Sequence, residues 1–437
     1  MLAAAISTLA ASSGCSPRPP LQTDDPADSA LPSEDSDLHP GDSELGDPQA
    51  PLCLAHCGNA EIDCGETGVD CGGADCPPCG VGQTCLSRDD CETGLCAAQL
   101  CQCASPSLIM VATTQLMRGE ELNAAIRNFQ RALDESEGVC AVYIEADAAD
   151  CLELYGTRVE DPTDWTQFRT VFGAMTATTG ARDFLLLGGQ LVIPRPHHWL
   201  TSTQEPTTQV WVESDSWFFD FDDDWIADPG YSVGRMPDLG YESSTVVIAL
   251  DGAAELHRLG GFTLDSPIFF GLGGYETPPY GVCDACDQDA FFELLRTHDH
   301  IILAGHGSPT AIGDAEDLLL ISAEALVGLD LSDHRPVVEA LGSCRAGHLN
   351  QQIPFLAYGF LRSGVAAYIA RTTTEGVPTV LLDELEMGLY DARPIGAALY
   401  DAILASNPPE LQGSEIGPSH QVNLHGDPTL RRRMSSP

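Results

Sequence analysis

The pattern of apolar positions changes character near residue 106. From there on, short continuous apolar runs alternate with segments whose apolar residues recur every three or four positions. Leu108–Ala112, Cys140–Ala146, Phe184–Ile193, Ile268–Leu272 and Val365–Ile369 read as strands. Continuous apolar runs of this length suit strands buried on both faces of a parallel sheet. Glu120–Leu133, with apolar residues at 122, 126, 129 and 133, has helical spacing; Trp165–Met175 and Phe355–Leu361 read as further helices. Strands alternating with helices predict an α/β domain over 104–437, its mostly parallel sheet covered by helices on both faces.

The preceding stretches are unlike this domain. Residues 53–103 hold cysteines at 53, 57, 64, 71, 76, 79, 85, 91, 96, 101 and 103, with little apolar mass between them. Such a piece cannot build a core and needs disulfides to fold. Eleven is odd, so one cysteine pairs outside the module or stays free. Cys76-x-x-Cys79 also fits zinc, but an extracytoplasmic setting favours disulfides. Within the α/β domain, Cys140–Cys151 and Cys283–Cys286 are the expected bridges. Residues 16–52, rich in Pro, Asp, Ser and Glu, read as a disordered acidic tether. Residues 1–15 form an apolar segment too short to stay in a bilayer, as in a signal peptide. Its end, Ser-Ser-Gly-Cys15, resembles a bacterial lipobox, which implies lipidation at Cys15. The expected location is therefore extracytoplasmic, as an outer-membrane or cell-surface lipoprotein or a secreted protein. The membrane would be met only through the lipid anchor.

Charge narrows the partners. The formal net charge is −45, which argues against nucleic acid and anionic membrane surfaces. All 20 basic residues are arginine, so lysine Schiff-base chemistry and a P-loop are excluded. Acid is densest at 215–228, where Asp220-x-Asp222-x-Asp224, followed by Asp228, suits a structural calcium loop. The same run also reads as a solvated acidic loop above its aromatic residues. Arg235 is expected to be structural and paired with one of these carboxylates. Glu375, Glu384 and Glu386 read as helix-surface or loop residues. His348 and His425 read as solvent-facing or hydrogen-bonded structural histidines.

The chemistry lies at two further apolar runs, one ending in Gly-His306-Gly307-Ser and the other in Gly-Ser343-Cys344. Open α/β sheets place reactive groups just past the carboxyl ends of their strands. Ile321–Val327 can supply part of the crossover helix between the two. A thiolate is the nucleophilic form of cysteine, and a nearby imidazole that takes its proton activates it. Amides at Gly307 and Cys344 are placed to bind an oxyanion.

These motifs resemble the caspase-like cysteine peptidases, and among them the gingipain family. Three more stretches match that family in order: Arg182–Pro194, the segment Ser214–Pro237 with Val233-Gly-Arg235, and Asn423–Leu430 with Gly426-Asp427-Pro428. The resemblance covers about residues 106–432. It implies a cysteine endopeptidase acting on protein or peptide substrates, with Cys344 as nucleophile, His306 as proton shuttle and no cofactor for the chemistry. Glu276 is the positional match for the acid that orients the histidine; Asp299 and His300, inside the preceding strand, are alternatives expected to be structural. The family's specificity-pocket acid has no match here, so substrate preference stays open. Two other classes remain: a non-catalytic surface adhesion protein on a peptidase-like fold, and a redox protein using Cys283-x-x-Cys286.

Overall fold

The computed structural model describes residues 57–63, 65–201, 209–271, 281–282, 287–313, 319–349, 353–374, 377, 379–406 and 421–434. Cys15, the 16–52 stretch, Glu276 and the Cys283/Cys286 pair lie outside them. Nine strands form the body of the main sheet: β1 (Leu108–Ala112), β2 (Ala141–Glu145), β3 (Asp183–Leu187), β4 (Ser232–Met236), β5 (Pro267–Gly271), β6 (His300–Gly307), β7 (Val337–Ser343), β8 (Ala367–Arg371) and β9 (Val422–Gly426). The helices among the described residues are α1 (Glu120–Glu137), α2 (Ala149–Tyr155), α3 (Trp165–Thr179), α4 (Ser244–Leu259), α5 (Gln288–Thr297), α6 (Ala323–Val327), α7 (Leu356–Ser363), α8 (Thr379–Tyr390) and α9 (Ile395–Ser406).

Across the sheet the order is β5-β6-β7-β8-β9-β4-β3-β1-β2, with the short strand Gly281–Val282 beyond β5. All neighbours are parallel except β8 and β9. Parallel neighbours need crossover connections, which the helices supply. The fold is thus two half-sheets, β1–β4 and β5–β8, joined through the C-terminal strand β9. The strand interiors are buried almost without exception, as their apolar runs require. Helix α1 packs on α4, α6 on α7, and α8 on α9.

Local chemistry sets the element ends. Asp164 accepts from Thr166 N and caps α3, a standard use of a short acidic side chain. Helix α1 runs past Leu133 to Glu137 and stops at Gly138, which takes a φ of 63°. Strand β3 ends at Leu187, short of the expected Ile193. Gly188 adopts a φ of 111°, and Val192 N and Ile193 N both donate to Gly189 O, which folds the chain back.

The cysteine-rich module is stapled by Cys57–Cys76, Cys71–Cys79, Cys85–Cys96 and Cys91–Cys101. Cys103 pairs outside it with Cys140, just before β2. Cys140 therefore does not bridge to Cys151, which is a buried free thiol that burial pushes up to about 12. The two residues are separated by β2 and the start of α2, and the module supplies the nearer partner. Gln102 Oε1 accepts from Tyr143 N and Gln130 Nε2, so the module is also docked on the domain by hydrogen bonds.

One buried carboxylate ties the centre together. Asp215 receives Arg195 Nε and Nη2 at 3.3 and 3.2 Å, and Arg235 Nε and Nη2 at 3.0 and 2.6 Å. Its own amide donates to Asn423 Oδ1 on β9. The arginines then reach onward: Arg195 to Gly347 O, and Arg235 to Gly188 O and Ile193 O. Burial raises the Asp215 carboxyl, but the two guanidiniums overcome it and hold the group far below the usual carboxylate range. A second knot joins α1, α4 and the C-terminal segment. His257 lies 2.6 Å from Glu137 Oε1 and 2.7 Å from Asp427 Oδ2. Burial opposes its charge, yet the bonds to Asp427 and Glu137 raise it to about 9.

Asp215→Asn would remove the carboxylate that both buried guanidiniums share, leaving only Glu213 acting on them, and should destabilise the protein by about 3–5 kcal/mol in urea melts. An unchanged midpoint would contradict the clamp. For His257 the folded value of about 9 lies above the ordinary 6.5, so its contribution is complete below pH 6.5 and disappears as pH rises through about 9. Wild-type stability should therefore fall by on the order of 3 kcal/mol over that window, and His257→Gln should show no such step.

Candidate active site

Strands β6 and β7 run side by side in parallel, with His300 opposite Val337 and Gly305 opposite Ser343. His306 is the next residue of β6, and Cys344 follows the last residue of β7. Parallel pairing therefore delivers both to one end of the sheet, although 38 positions separate them in sequence. The glycines make this approach possible. A Cβ on Gly307 would overlap the backbone amide and carbonyl of Cys344, and one on Gly342 would overlap Ala304. His306 is exposed, whereas Cys344 is only 3% exposed.

After His306 the chain folds into a small antiparallel arm, Ala311–Gly313 with Leu319–Ser322. Ser308 closes its first turn, with Ser308 N donating to Ala311 O and Ala311 N donating to Ser308 Oγ. After Cys344 the chain makes a tight loop, with Arg345 at a φ of 54°. Arg345 N donates to Thr373 O, Gly347 N to Arg371 O, and Tyr368 Oη to Ala346 O. With Arg195 on Gly347 O, the loop is held from both half-sheets.

Two contributors escaped sequence reasoning. Arg371 is buried at the end of β8; its Nε donates to Ser343 O at 3.1 Å and its Nη2 lies 3.3 Å from Cys344 Sγ. A buried cation beside sulfur favours the thiolate once a thiol is present. The signal was an arginine closing the apolar run Ala-Tyr-Ile-Ala. Glu213 ends a hairpin strand (Gln209–Glu213, paired with His197–Thr201) and meets His348 Nδ1 at 3.0 Å. Burial raises the Glu213 carboxyl, and His348, helped by Arg195 and Trp211, more than offsets this, so it lies below its ordinary value. Glu213 O also accepts from Thr372 Oγ1, which fixes the hairpin beside the strand ends. The same hairpin exposes Trp199 and Trp211, packed edge to face.

Cys344 is disulfide-bonded in this structure, to a partner outside the described residues. In this state its sulfur is not a nucleophile. Glu276, the expected orienting acid, also lies outside the described residues. Of its alternatives, Asp299 accepts from the amides of Asp265 and Ser266, and His300 is fully buried against Glu339. Neither lies at the strand ends with His306.

The acidic loop is partly gathered. The carboxylates of Asp220, Asp222 and Asp224 converge, while Asp228 stands apart from that group and accepts from Phe221 N. Arg169 pairs with Asp223 and lies 3.8 Å from Asp220. Burial raises Asp220 to about 6 despite hydrogen bonds from the loop amides. Arg235 pairs with Asp215. His425 is fully buried. Glu386, expected on a helix surface, is 7% exposed; α8 turns that face onto the sheet.

No protein-family model and no curated protein matches the sequence. Solved structures do match. The Arg-specific cysteine proteinase gingipain R is 14% identical, with a TM-score of 0.54, covering 75% of this chain and 78% of its own. A complex of the pro- and mature domains of this proteinase from Porphyromonas gingivalis is 14% identical, with a TM-score of 0.54, over 74% and 79%. A structure described as a protease is 12% identical, with a TM-score of 0.54, over 76% and 79%. The chain thus has the caspase-like, mostly parallel α/β fold of a gingipain-type peptidase, preceded by a disulfide-rich module.

Proposed function

We propose that the chain is a cysteine endopeptidase that hydrolyses peptide bonds through Cys344 and His306. The observation that supports this most is the parallel register of β6 and β7, which brings the two residues to adjacent strand ends with Gly307 against the Cys344 backbone. In the reduced protein, Cys344 Sγ attacks the scissile carbonyl carbon as a thiolate. Imidazole of His306 holds the thiol proton and returns it to the leaving amine. Amides at Gly307 and Cys344 face the developing oxyanion. Water then hydrolyses the acyl-enzyme, with His306 taking its proton. Arg371 stabilises the resting thiolate, and Glu276 remains the proposed orienting acid. Calcium enters this reading only as a structural ion in the 220–224 loop. The substrate is a protein or peptide met outside the cytoplasm, and Cys15 would supply a lipid anchor.

With Cys344 in a disulfide no thiol is present there, so the proposed reaction requires the reduced protein. The same bond favours a second reading, a surface adhesion protein whose cysteine is purely structural. An irreversible peptidyl ketone series separates the two. After mild reduction, wild type should be labelled at Cys344, with a clear preference among peptides. Cys344→Ala should not be labelled, and His306→Ala should react about 10²-fold or more slowly. Equal, sequence-indifferent labelling of wild type and His306→Ala, or none after reduction, would leave the adhesion reading.

A further inference from the structure

Away from the strand ends, His300 begins β6, Glu339 lies on β7 and Glu386 on α8. They are 0, 2 and 7% exposed. His300 Nε2 lies 2.8 Å from Glu339 Oε1, and one donor atom from each of the three residues falls within 4.8 Å of the others. His300 Nδ1 and both oxygens of Glu386 are buried with no hydrogen-bond partner among the described residues, as is Oδ1 of Asp383, one turn earlier on α8. Native proteins rarely leave such groups unmatched. Among the described residues, the charged groups acting on His300 are Glu339, Glu386 and Asp299, and those on Glu386 are Glu339, His300 and Asp383. None is an arginine, and the chain contains no lysine. Carboxylates outnumber the single imidazole, and all three side chains are buried.

We infer that His300, Glu339 and Glu386 bind a divalent transition-metal ion, with zinc the best chemical match. One imidazole nitrogen with carboxylate oxygens suits zinc, whereas calcium and magnesium prefer oxygen alone and copper(I) prefers sulfur. His300 lies six residues before His306 along an extended strand, roughly 20 Å away, so the ion is structural and fastens α8 to β6 and β7. This inference stands apart from the peptidase reading.

The test uses the full chain, stripped with EDTA, dialysed and titrated with zinc chloride. Wild type should hold one zinc equivalent more than Glu386→Gln by elemental analysis, and zinc should raise the melting temperature of wild type but not of the variant. Without a metal role, glutamine merely removes a buried acid; equal zinc content and equal thermal shifts would then overturn the site. Crystals of zinc-loaded wild type supply a readout that needs no variant. An anomalous peak between His300, Glu339 and Glu386 would support the site, and its absence would overturn it.

Discussion

Everything near the candidate site depends on how Asp215 is held. This one carboxylate sits between two fully buried guanidiniums and, through them and its own amide, reaches β4, β9, the turn after β3 and the loop after Cys344. A single buried charge of either sign would be strongly unfavourable, but the two guanidiniums share Asp215, with Glu213 acting on both, and most of their donors are met within one network. The geometric consequence is more important than the energy. β9 is the only described strand that joins the two half-sheets, and Asn423 on it is fixed by Asp215. Arg195, in turn, fixes Gly347, three residues beyond Cys344. The position of the sulfur relative to the rest of the sheet is thus set by electrostatics across the seam as well as by the β7 ladder.

The chemistry at the strand ends follows from sheet direction. Parallel neighbours present their carboxyl ends together, so two residues far apart in sequence share one edge without any special loop. Glycine at 307 and 342 lets the backbones meet closely enough for that edge to be compact. Arg371 adds a buried positive charge beside sulfur. With Cys344 in a disulfide, its sulfur is not a nucleophile while the surrounding frame stays in place.

Apolar runs were informative because a strand buried on both faces has little choice of composition. Leu108–Ala112 was located to the residue, and the turn that ends β3 early was missed because Gly188 and Gly189 lie inside an apolar stretch. The ordered motifs around His306, Cys344, Arg235 and Asp427 pointed to the gingipain-like fold, which the solved structures share. Side-chain partnerships were less legible. The sequence reading pairs Cys140 with Cys151 although β2 and the start of α2 lie between them, whereas the spare cysteine of the module, Cys103, is the partner in space. Glu386 reads as an ordinary helical glutamate, since nothing in a local pattern tells which helix face the sheet will cover. The network at Asp215 spans more than 200 positions, from Asp215 to Asn423, and no local spacing encodes it.

If the ends of β6 and β7 create an activated thiol, the pH profile of Cys344 alkylation reads it out directly. After mild reduction, iodoacetamide modification of Cys344 would be followed by peptide mass spectrometry in wild type and His306→Ala. The account predicts a wild-type profile with its midpoint well below the ordinary thiol value of about 8.5, moving up toward that value in the variant. Identical profiles with midpoints at or above about 8.5 would contradict it.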